Sequence, residues 1–477
     1  MLFNSLEFLL FLPTVFCLYW FVFQKNLRVQ NLLLLISSYV FYGWWDYRFL
    51  SLIFLSTVVD YFVGLKIHDS NDKKIKKSYL WISILFNLGL LGFFKYFNFF
   101  IDSWIDLLGT IGYEQKSTWT LNVILPVGIS FYTFQTMSYS LDIYHGKLKP
   151  TKDFISFASF VSFFPQLVAG PIERASNLLP QILNNRVFNY EQGVQGLRLI
   201  LWGMFKKVVI ADSLAPIVDN IFAGFLGFGG LELWLGMIYF SFQIYCDFSG
   251  YSDIAIGTSK LFGFELMSNF KFPYFSRNIG EFWRRWHISL STWFRDYLYI
   301  PLGGSKEGTW SSIRNIFIIF IVSGFWHGAN WTFIFWGIFH AILFLPSYIL
   351  KSNRKYVNTT IGQDNLLPSI KEFFQSITTY LLVSFGWIIF RNNTIYDSFI
   401  YIKKMFFNEF PFSSFNLNFV WICIGFIFLE YQIKENQKEL VFFKHKKSND
   451  FFFILLGLLV ALLFFKEVET SFIYFQF

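Results

Sequence analysis

The sequence predicts an all-α polytopic membrane protein. Of its 477 residues, 55% are hydrophobic and 23% aromatic, and only 15% are charged, whereas about a quarter of the residues in a soluble domain carry charge. These proportions argue against a soluble enzyme held by one anchor. Apolar runs recur along the whole chain, at 8–23, 31–45, 49–65, 79–100, 121–141, 153–168, 194–218, 231–246, 313–327, 331–350, 373–390, 419–433 and 451–465.

The apolar runs predict about eleven to thirteen transmembrane helices, since about 20 residues are needed to cross the hydrocarbon core. Several runs are shorter or contain Pro, Gly or Gln, so we also expect re-entrant and interfacial helices, which survive at membrane depth where protein or water surrounds them. We expect one membrane domain over 1–477, with peripheral helices in 1–100 and 373–477 and a central catalytic core in 121–350.

The charge distribution predicts the topology. The formal charge is +8, and Lys and Arg fall mostly in short connections between apolar runs, as the positive-inside rule describes; we expect no nucleic-acid partner. The loops 66–78 and 434–447 carry five lysines each. Placing both loops in the cytoplasm puts the N-terminus and the C-terminus outside, the connection 351–372 inside and His327 toward the outer half.

Several chemistries find no support in the sequence. There is no GxSxG elbow, no P-loop and no HExxH motif, which are the patterns of a nucleophilic serine, a nucleotide cradle and a catalytic zinc. The three cysteines, Cys17, Cys246 and Cys423, lie far apart in apolar surroundings. They predict neither a disulfide framework nor a metal site.

Polar side chains concentrate in the middle of the chain. Gln135 follows a run that begins at Pro126, and Asp247 directly follows the apolar run 231–246. Polar groups at membrane depth cost several kcal/mol unless a partner or a wet cavity receives them. We therefore expect a polar chamber in the core, with Gln135 and Asp247 as candidate substrate-binding residues. Helix capping and loop hydrogen bonding are the alternative explanation.

The first candidate histidine is His287. It belongs to an apolar stripe at helical spacing, and Arg284 and Arg285 lie mostly on the other side. The stripe predicts one helix, one face of which is formed by Trp283, Trp286, His287, Leu290, Phe294 and Leu298. His287 either lines the chamber, with Trp286 beside substrate, or is a satisfied core residue. The two arginines either anchor the helix to lipid headgroups or meet an anionic donor or acidic carrier protein.

The second candidate, His327, lies at the break between two apolar runs, within SGFWHGANW. Gly324 and Gly328 allow close backbone approach, Trp326 supplies an apolar wall, and Asn330 is a candidate hydrogen-bond partner. An ionisable residue within a membrane domain is a functional-site candidate, and imidazole is suited to accept a proton near neutrality. The alternatives are a helix cap and, in a transporter or flippase, a proton relay.

The motifs together resemble the bacterial branch of the membrane-bound O-acyltransferase (MBOAT) family, which acetylates alginate or peptidoglycan or D-alanylates teichoic acids. The similarity is greatest to the alginate-acetylation group. It extends over essentially the whole chain and rests on NLLLLISSYVFYGWWD, PVGISFYTFQTMSYSLDIY, FVSFFPQLVAGPIER, DFSGYSDIAIG, FWRRWHISLSTWFRDYLYIPLGGS, SGFWHGANWTFIFWG and the terminal FIYFQF.

The resemblance implies a ring of helices around a central funnel in the bacterial inner membrane, with His327 required for acyl transfer and His287 as the second characteristic histidine. It implies no bound cofactor, a cytoplasmic thioester donor (acetyl-CoA or a carrier-bound thioester) and an extracytoplasmic polysaccharide acceptor. A periplasmic partner with an esterase fold is expected, as for the alginate-acetylation group. The competing hypothesis is a transporter or flippase that uses the histidines for substrate or protons.

Overall fold

The structure, a computed structural model, describes residues 1–113, 120, 121, 124–168, 170–357, 359–363, 365, 367–408, 418–435, 440–443 and 445–464. No strand occurs among these residues. The chain forms two compact units, Met1–Tyr190 with Ser259–Leu266, and Glu191–Thr258 with Met267–Phe477. The terminal FIYFQF motif lies outside the described residues. The division into a core and peripheral helices stays a prediction.

The first unit is built from short and medium helices. Its α-helices, in the described part, are α1 (Leu6–Cys17), α2 (Leu27–Asp46), α3 (Leu50–Asp69), α4 (Lys73–Leu91), α5 (Phe97–Thr110), α6 (Ile129–Tyr144), α7 (Phe154–Ser162), α8 (Phe164–Leu167) and α9 (Ala175–Leu183). Helix α3 packs against both α4 and α6.

A buried carboxylate joins these three helices. Asp60 of α3 is fully buried and accepts hydrogen bonds from Ser83, from Asn87 at 2.7 Å and from Ser140 at 2.7 Å. A buried carboxylate is costly unless hydrogen-bonded, so this one acceptor explains Ser83 and Asn87 of α4 and Ser140 of α6.

The second unit contains the histidine motifs. Its described α-helices are α10 (Tyr190–Met204), α11 (Asp212–Ala223), α12 (Gly230–Leu261), α13 (Ile279–Arg285), α14 (Ile288–Phe294), α15 (Thr309–His327), α16 (Trp331–Ile349), α17 (Ile370–Arg391), α18 (Ile395–Phe407), α19 (Asn418–Gln432) and α20 (Lys446–Phe464). The last residues of α12, from Ser259, belong to the first unit.

Within the part of the chain that the structure describes, six helical stretches are long and apolar enough to cross a membrane: Leu27–Asp69, Lys73–Thr110, α15, α16, α17 and α20. Shorter apolar helices lie at Leu6–Val22, Phe154–Leu167 and Phe419–Gln432. The first stretch contains two helices of 20 residues each, α2 and α3, and each matches one crossing. The all-α polytopic class is confirmed, and the number of crossings stays a prediction.

Two glycines bring α15 and α16 together. A Cβ on Gly324 would lie 2.1 Å from the carbonyl oxygen of Phe333, and one on Gly337 would lie 2.3 Å from that of Phe320. Only a residue without a side chain fits at either position, because real Cβ atoms do not approach backbone oxygens so closely. Small residues of this kind let membrane helices pack backbone to backbone. This contact fixes the end of α15, where His327 lies.

Candidate active site

The two candidate histidines meet inside the second unit. His327 is the last residue of α15, and His287 lies between α13 and α14. Their ring centroids are 6.4 Å apart, with an interplanar angle of 58°. The exposed fractions are 4% for His327 and 1% for His287. Helix α14 and nearly all of α15 separate the two residues in the sequence, and the fold brings both imidazoles into one buried cluster.

The backbone at His287 interrupts the continuous helix that the stripe predicts; that prediction is wrong. His287 has φ +44°, a left-handed conformation that non-glycine residues rarely adopt. The chain is held there by strand-like bonds to the preceding segment, from Ile288 N–H to Asn269 O at 2.8 Å and from Lys271 N–H to Arg285 O at 2.9 Å. Such a conformation in a non-glycine residue is typical of functional sites.

Asn269 orients the His287 ring. Its Oδ1 accepts from Ser289 N–H at 3.3 Å and lies 3.0 Å from Nδ1 of His287. A backbone N–H can only donate, so the Asn269 atom that faces Ser289 N–H and His287 Nδ1 must be the amide oxygen. Because that oxygen can only accept, His287 carries its proton on Nδ1. The lone pair of the neutral ring is then on Nε2. Sequence reasoning missed Asn269, because nothing in the local pattern links it to a histidine 18 residues later.

Burial favours the neutral form of His287. In the sequence, His287 lies outside the candidate membrane spans. Burial lowers the pKa of its imidazole from 6.5 to about 3. The ring packs edge-to-face against Phe248, with centroids 4.7 Å apart and an interplanar angle of 86°. An apolar enclosure of this kind disfavours the charged form.

Aromatic rings surround His327. The centroids of Trp326, Trp336 and Phe390 lie 5.0, 5.2 and 5.4 Å from that of the imidazole. The position at the C-terminal end of α15 adds an electrostatic effect, because the partial negative charge of a helix C-terminus favours a cation there by up to about 2 kcal/mol in partly buried geometries. His327 thus combines an apolar enclosure, which disfavours charge, with a helix end that favours a cation.

A third histidine joins the cluster, and the sequence analysis did not single it out. His340 of α16 is fully buried, and its ring lies 5.0 Å from Trp283 and 4.8 Å from Trp336. Neither ring nitrogen has a hydrogen-bond partner among the described residues. The rule that marks intramembrane ionisable residues applies to His340 as it does to His327, so the signal was present in the sequence.

Of the predicted substrate-binding residues, the two tryptophans pack in the aromatic cluster, and the three polar residues have hydrogen-bond or ion-pair partners within the protein. Trp326 lies beside both histidines, 5.7 Å from the His287 ring. Trp286 is 1% exposed and stacks on Phe282 with centroids 5.6 Å apart. Asn330 caps α16: its oxygen accepts from Thr332 N–H, and its amide donates to Asn393 O, both at 3.0 Å. The cap of α16 accounts for the oxygen of this side chain and the hydrogen bond to Asn393 for its nitrogen, and a contact with substrate stays a prediction.

Asp247 and Gln135 have other contacts. Asp247 of α12 forms an ion pair with Lys207 at 2.7 Å, and Lys207 also pairs with Asp212 at 2.7 Å. Lys207 lies in a π-helical turn, Phe205–Ala211, a rare geometry that often accompanies function. Gln135 belongs to the first unit and donates to Phe160 O at 2.6 Å. Their roles in substrate binding stay predictions.

The two predicted donor-facing arginines have intramolecular partners. Arg285 is buried and pairs with Glu281 at 2.7 Å, while Arg277 pairs with the same carboxylate at 3.0 Å. Arg284 donates to the carbonyl oxygen of Asn353. The Arg285 contacts have a structural purpose, since an unpaired buried charge is costly. A role in donor binding stays a prediction for both arginines.

Comparison with known proteins identifies the family of this chain. The sequence model of the membrane-bound O-acyltransferase family matches residues 78–385. A probable alginate O-acetylase of Pseudomonas aeruginosa is 40% identical over 437 residues, 91% of this chain and 80% of its own length.

Two further relatives have other acceptors in their names. A peptidoglycan O-acetyltransferase of Helicobacter pylori is 37% identical over 434 residues, 85% of this chain and 80% of its own length. A teichoic acid D-alanyltransferase of Streptococcus thermophilus is 31% identical over 288 residues, 57% of this chain and 68% of its own length. The paired histidines thus lie in a chain that belongs to the MBOAT family and is an acyltransferase.

Proposed function

We propose that this protein transfers an acetyl group from a cytoplasmic thioester to a hydroxyl group of an extracytoplasmic cell-envelope polysaccharide, with His327 as the general base. The observation that carries the proposal is the position of His327, buried at the end of α15 among three aromatic rings and 6.4 Å from His287. The family assignment favours acyl transfer over the competing hypothesis of transport or flipping.

His327 suits the role of base. The acceptor hydroxyl gives its proton to the imidazole as its oxygen attacks the thioester carbonyl. The tetrahedral adduct then collapses, the carbon–sulfur bond breaks, and the imidazolium returns the proton to the thiolate. The C-terminal end of α15 stabilises the transient imidazolium. A positioned base contributes about 10²- to 10⁴-fold to such a reaction.

His287 serves the same reaction as a neutral acceptor. With its proton on Nδ1 toward Asn269, it presents the Nε2 lone pair, which can accept a hydrogen bond from a second hydroxyl of the polysaccharide acceptor and so orient the attacking one. Its low pKa of about 3 prevents it from competing for the proton that His327 accepts. Two groups in unlike environments thus divide the tasks of positioning and proton transfer.

The aromatic enclosure supports transfer to an alcohol over hydrolysis. Trp326, Trp336 and Phe390 pack around His327, and excluding water from a reactive acyl group prevents its loss. Trp336 also brings an indole N–H that is buried and has no hydrogen-bond partner within the described part of the chain. Such a donor suits the oxyanion that develops on the carbonyl.

The relatives support acetyl as the acyl group. The two whose names specify O-acetylation align with 91% and 85% of this chain, whereas the D-alanyltransferase aligns with 57%. Acetyl-CoA or a carrier-bound thioester would serve as donor, and the acceptor would be alginate-like polysaccharide or peptidoglycan. We further propose that the acetyl group reaches the polymer directly or through a periplasmic transferase with an esterase fold.

The test compares single histidine substitutions in cells that depend on this protein for O-acetylation. His327→Gln should reach the membrane at the normal level and lower the acetyl content of the polysaccharide by about 10²-fold or more, because the base is lost. The measurement is acetate released by mild base from purified polymer, normalised to protein in the membrane.

The matched control is His145→Gln, which removes an exposed histidine at the end of α6 and should leave acetylation unchanged. Normal acetylation by His327→Gln would refute the assignment of the base. Growth with excess donor-side substrate would distinguish the competing hypothesis, because a transport defect is relieved by supply whereas a missing base is not.

A further inference from the structure

A cavity of about 710 Å³ lies between α14, α15 and α16. Its deeper part is lined by apolar side chains that include Leu290, Phe294, Ile316 and Phe320, all of them buried. The cavity is separate from the histidine cluster and touches it through Trp283, whose ring contacts Trp336 at 5.7 Å.

The open end of the cavity is cationic. Arg295, Lys351 and Arg354 line it, and all three are exposed. Arg295 pairs with Asp296 at 2.7 Å, but Lys351 and Arg354 have no ion-pair partner among the described residues, and none of the described residues that line the cavity is Asp or Glu. The rim thus carries positive charge, at Lys351 and Arg354, that no described residue neutralises.

The backbone at Lys351 points to the same site. Lys351 follows the end of α16 with φ +54°, a left-handed conformation that costs a non-glycine residue roughly 1–2 kcal/mol and is usually taken by Gly or Asn at a helix end. A cationic side chain stands where a glycine would be easier to accommodate.

We propose that this cavity binds one anionic phospholipid, with the phosphate on Lys351 and Arg354 and an acyl chain along Ile316, Phe320 and Phe344. The two helices that form its walls, α15 and α16, are both apolar enough to span the membrane, where the surrounding bilayer can supply a lipid. The rim lies at the start of α15 and the end of α16, which the positive-inside rule assigns to the cytoplasmic side. Basic pockets between membrane helices on that side suit anionic headgroups.

A phospholipid fits better than a thioester donor. The buried part of the lining is mainly isoleucine, leucine and phenylalanine, which match a hydrocarbon chain, whereas the arm of a thioester donor carries amide groups that require partners. The proposal goes beyond the acyl transfer above, since it assigns a ligand to a separate cavity.

The experiment uses the purified full chain in detergent and measures the melting temperature and native mass spectra on titration with phosphatidylglycerol or phosphatidylcholine of identical chains. Phosphatidylglycerol should stabilise the protein and remain bound, and phosphatidylcholine should not. The double variant Lys351→Gln with Arg354→Gln should weaken phosphatidylglycerol binding about 30-fold. Each cation lost removes about 1 kcal/mol of binding free energy, and two such losses correspond to that factor.

Two further variants make the result specific. Lys73→Gln with Lys74→Gln removes two cations at the start of α4 and should leave binding unchanged. Ile319→Trp narrows the apolar part of the cavity with the rim intact and should abolish binding. Equal binding of both lipids, or unchanged affinity in the rim variant, would overturn the proposal. Displacement of phosphatidylglycerol by acetyl-CoA would also overturn it, because the cavity would then receive the donor.

Discussion

The amide of Asn269 determines how one imidazole of the active site is presented. Its oxygen receives Ser289 N–H and faces Nδ1 of His287, and it also accepts from the Ser289 hydroxyl at 2.9 Å. Three hydrogen bonds thus converge on one buried oxygen. The consequence is a defined tautomer for His287, which no inspection of the FWRRWHIS motif reveals.

Replacing Asn269 by Leu should therefore reduce both stability and rate. The buried donors of His287 and Ser289 lose their acceptor, and we expect the free energy of unfolding to fall by about 1–3 kcal/mol. The ring would no longer be held in position, and a small misplacement of a catalytic group can lower the rate by about 10²-fold. Thermal unfolding in detergent and transfer rate per folded protein are the measurements.

The matched control for Asn269→Leu is Asn315→Leu. Asn315 is also fully buried, and it donates to Leu302 O at 3.1 Å and Gly304 O at 3.0 Å, away from His287. It should lose comparable stability and keep its rate per folded molecule. An equal loss of rate in both variants would mean that Asn269 acts only through stability.

At the scale of elements, the pair α15 and α16 carries the site. Both helices are apolar on most faces, so a continuous hydrophobic pattern does not specify which face of one meets the other. Gly324 and Gly337 do, because each lies against a carbonyl oxygen of the opposite helix. The SGFWHG motif predicts that other backbone comes close to Gly324 and Gly328. This holds at Gly324, but at Gly328 the group nearest to an added Cβ is the ring of Phe333 and not backbone.

Gly337→Ala should separate these two helices. Its Cβ would lie 2.3 Å from Phe320 O, so the helices must move apart, and overpacking of this kind costs about 1–3 kcal/mol. We expect a lower melting temperature together with reduced transfer, because His327 moves with α15.

The control for the glycine contact is Gly425→Ala in α19, where an added Cβ meets nothing within 4 Å. This substitution should leave stability unchanged or raise it by about 0.4–1 kcal/mol, through the lower entropy of the unfolded chain. If Gly337→Ala proved as stable as Gly425→Ala, the backbone contact between α15 and α16 would be incorrect.

For the whole molecule, the membrane topology follows from the basic loops. Five lysines lie in 66–78 and five in 434–447, and the positive-inside rule places these loops in the cytoplasm. We therefore expect the connection 351–372 to lie inside as well, and the acyl group to be transferred from that side to the opposite one.

Cysteine labelling tests this topology. In a Cys17→Ser background, which removes the exposed native thiol and keeps the buried Cys246 and Cys423, we expect Ser70→Cys and Val357→Cys to react with a membrane-impermeant maleimide only after the cells are opened. Ile111→Cys, between α5 and α6, should react in intact cells. Reaction of Val357→Cys in intact cells would reverse the proposed direction.

Sequence alone determined the class of the protein, and it predicted His327 as the key histidine. Composition and recurrent apolar runs require a membrane protein, because no soluble fold can bury so much apolar surface, and the motif around His327 is local in the chain. Both conclusions depend on neighbouring residues only.

The tertiary structure decided what depends on distant residues. The predicted helix is interrupted at His287, whose ring is oriented by Asn269. Asp247 pairs with Lys207, and Asn330 caps α16. His340 packs in the same cluster as the two candidate histidines. Periodicity describes which face of a helix is apolar. Which polar partner a buried group finds depends on how elements far apart in the chain pack, and no pattern within one element encodes that.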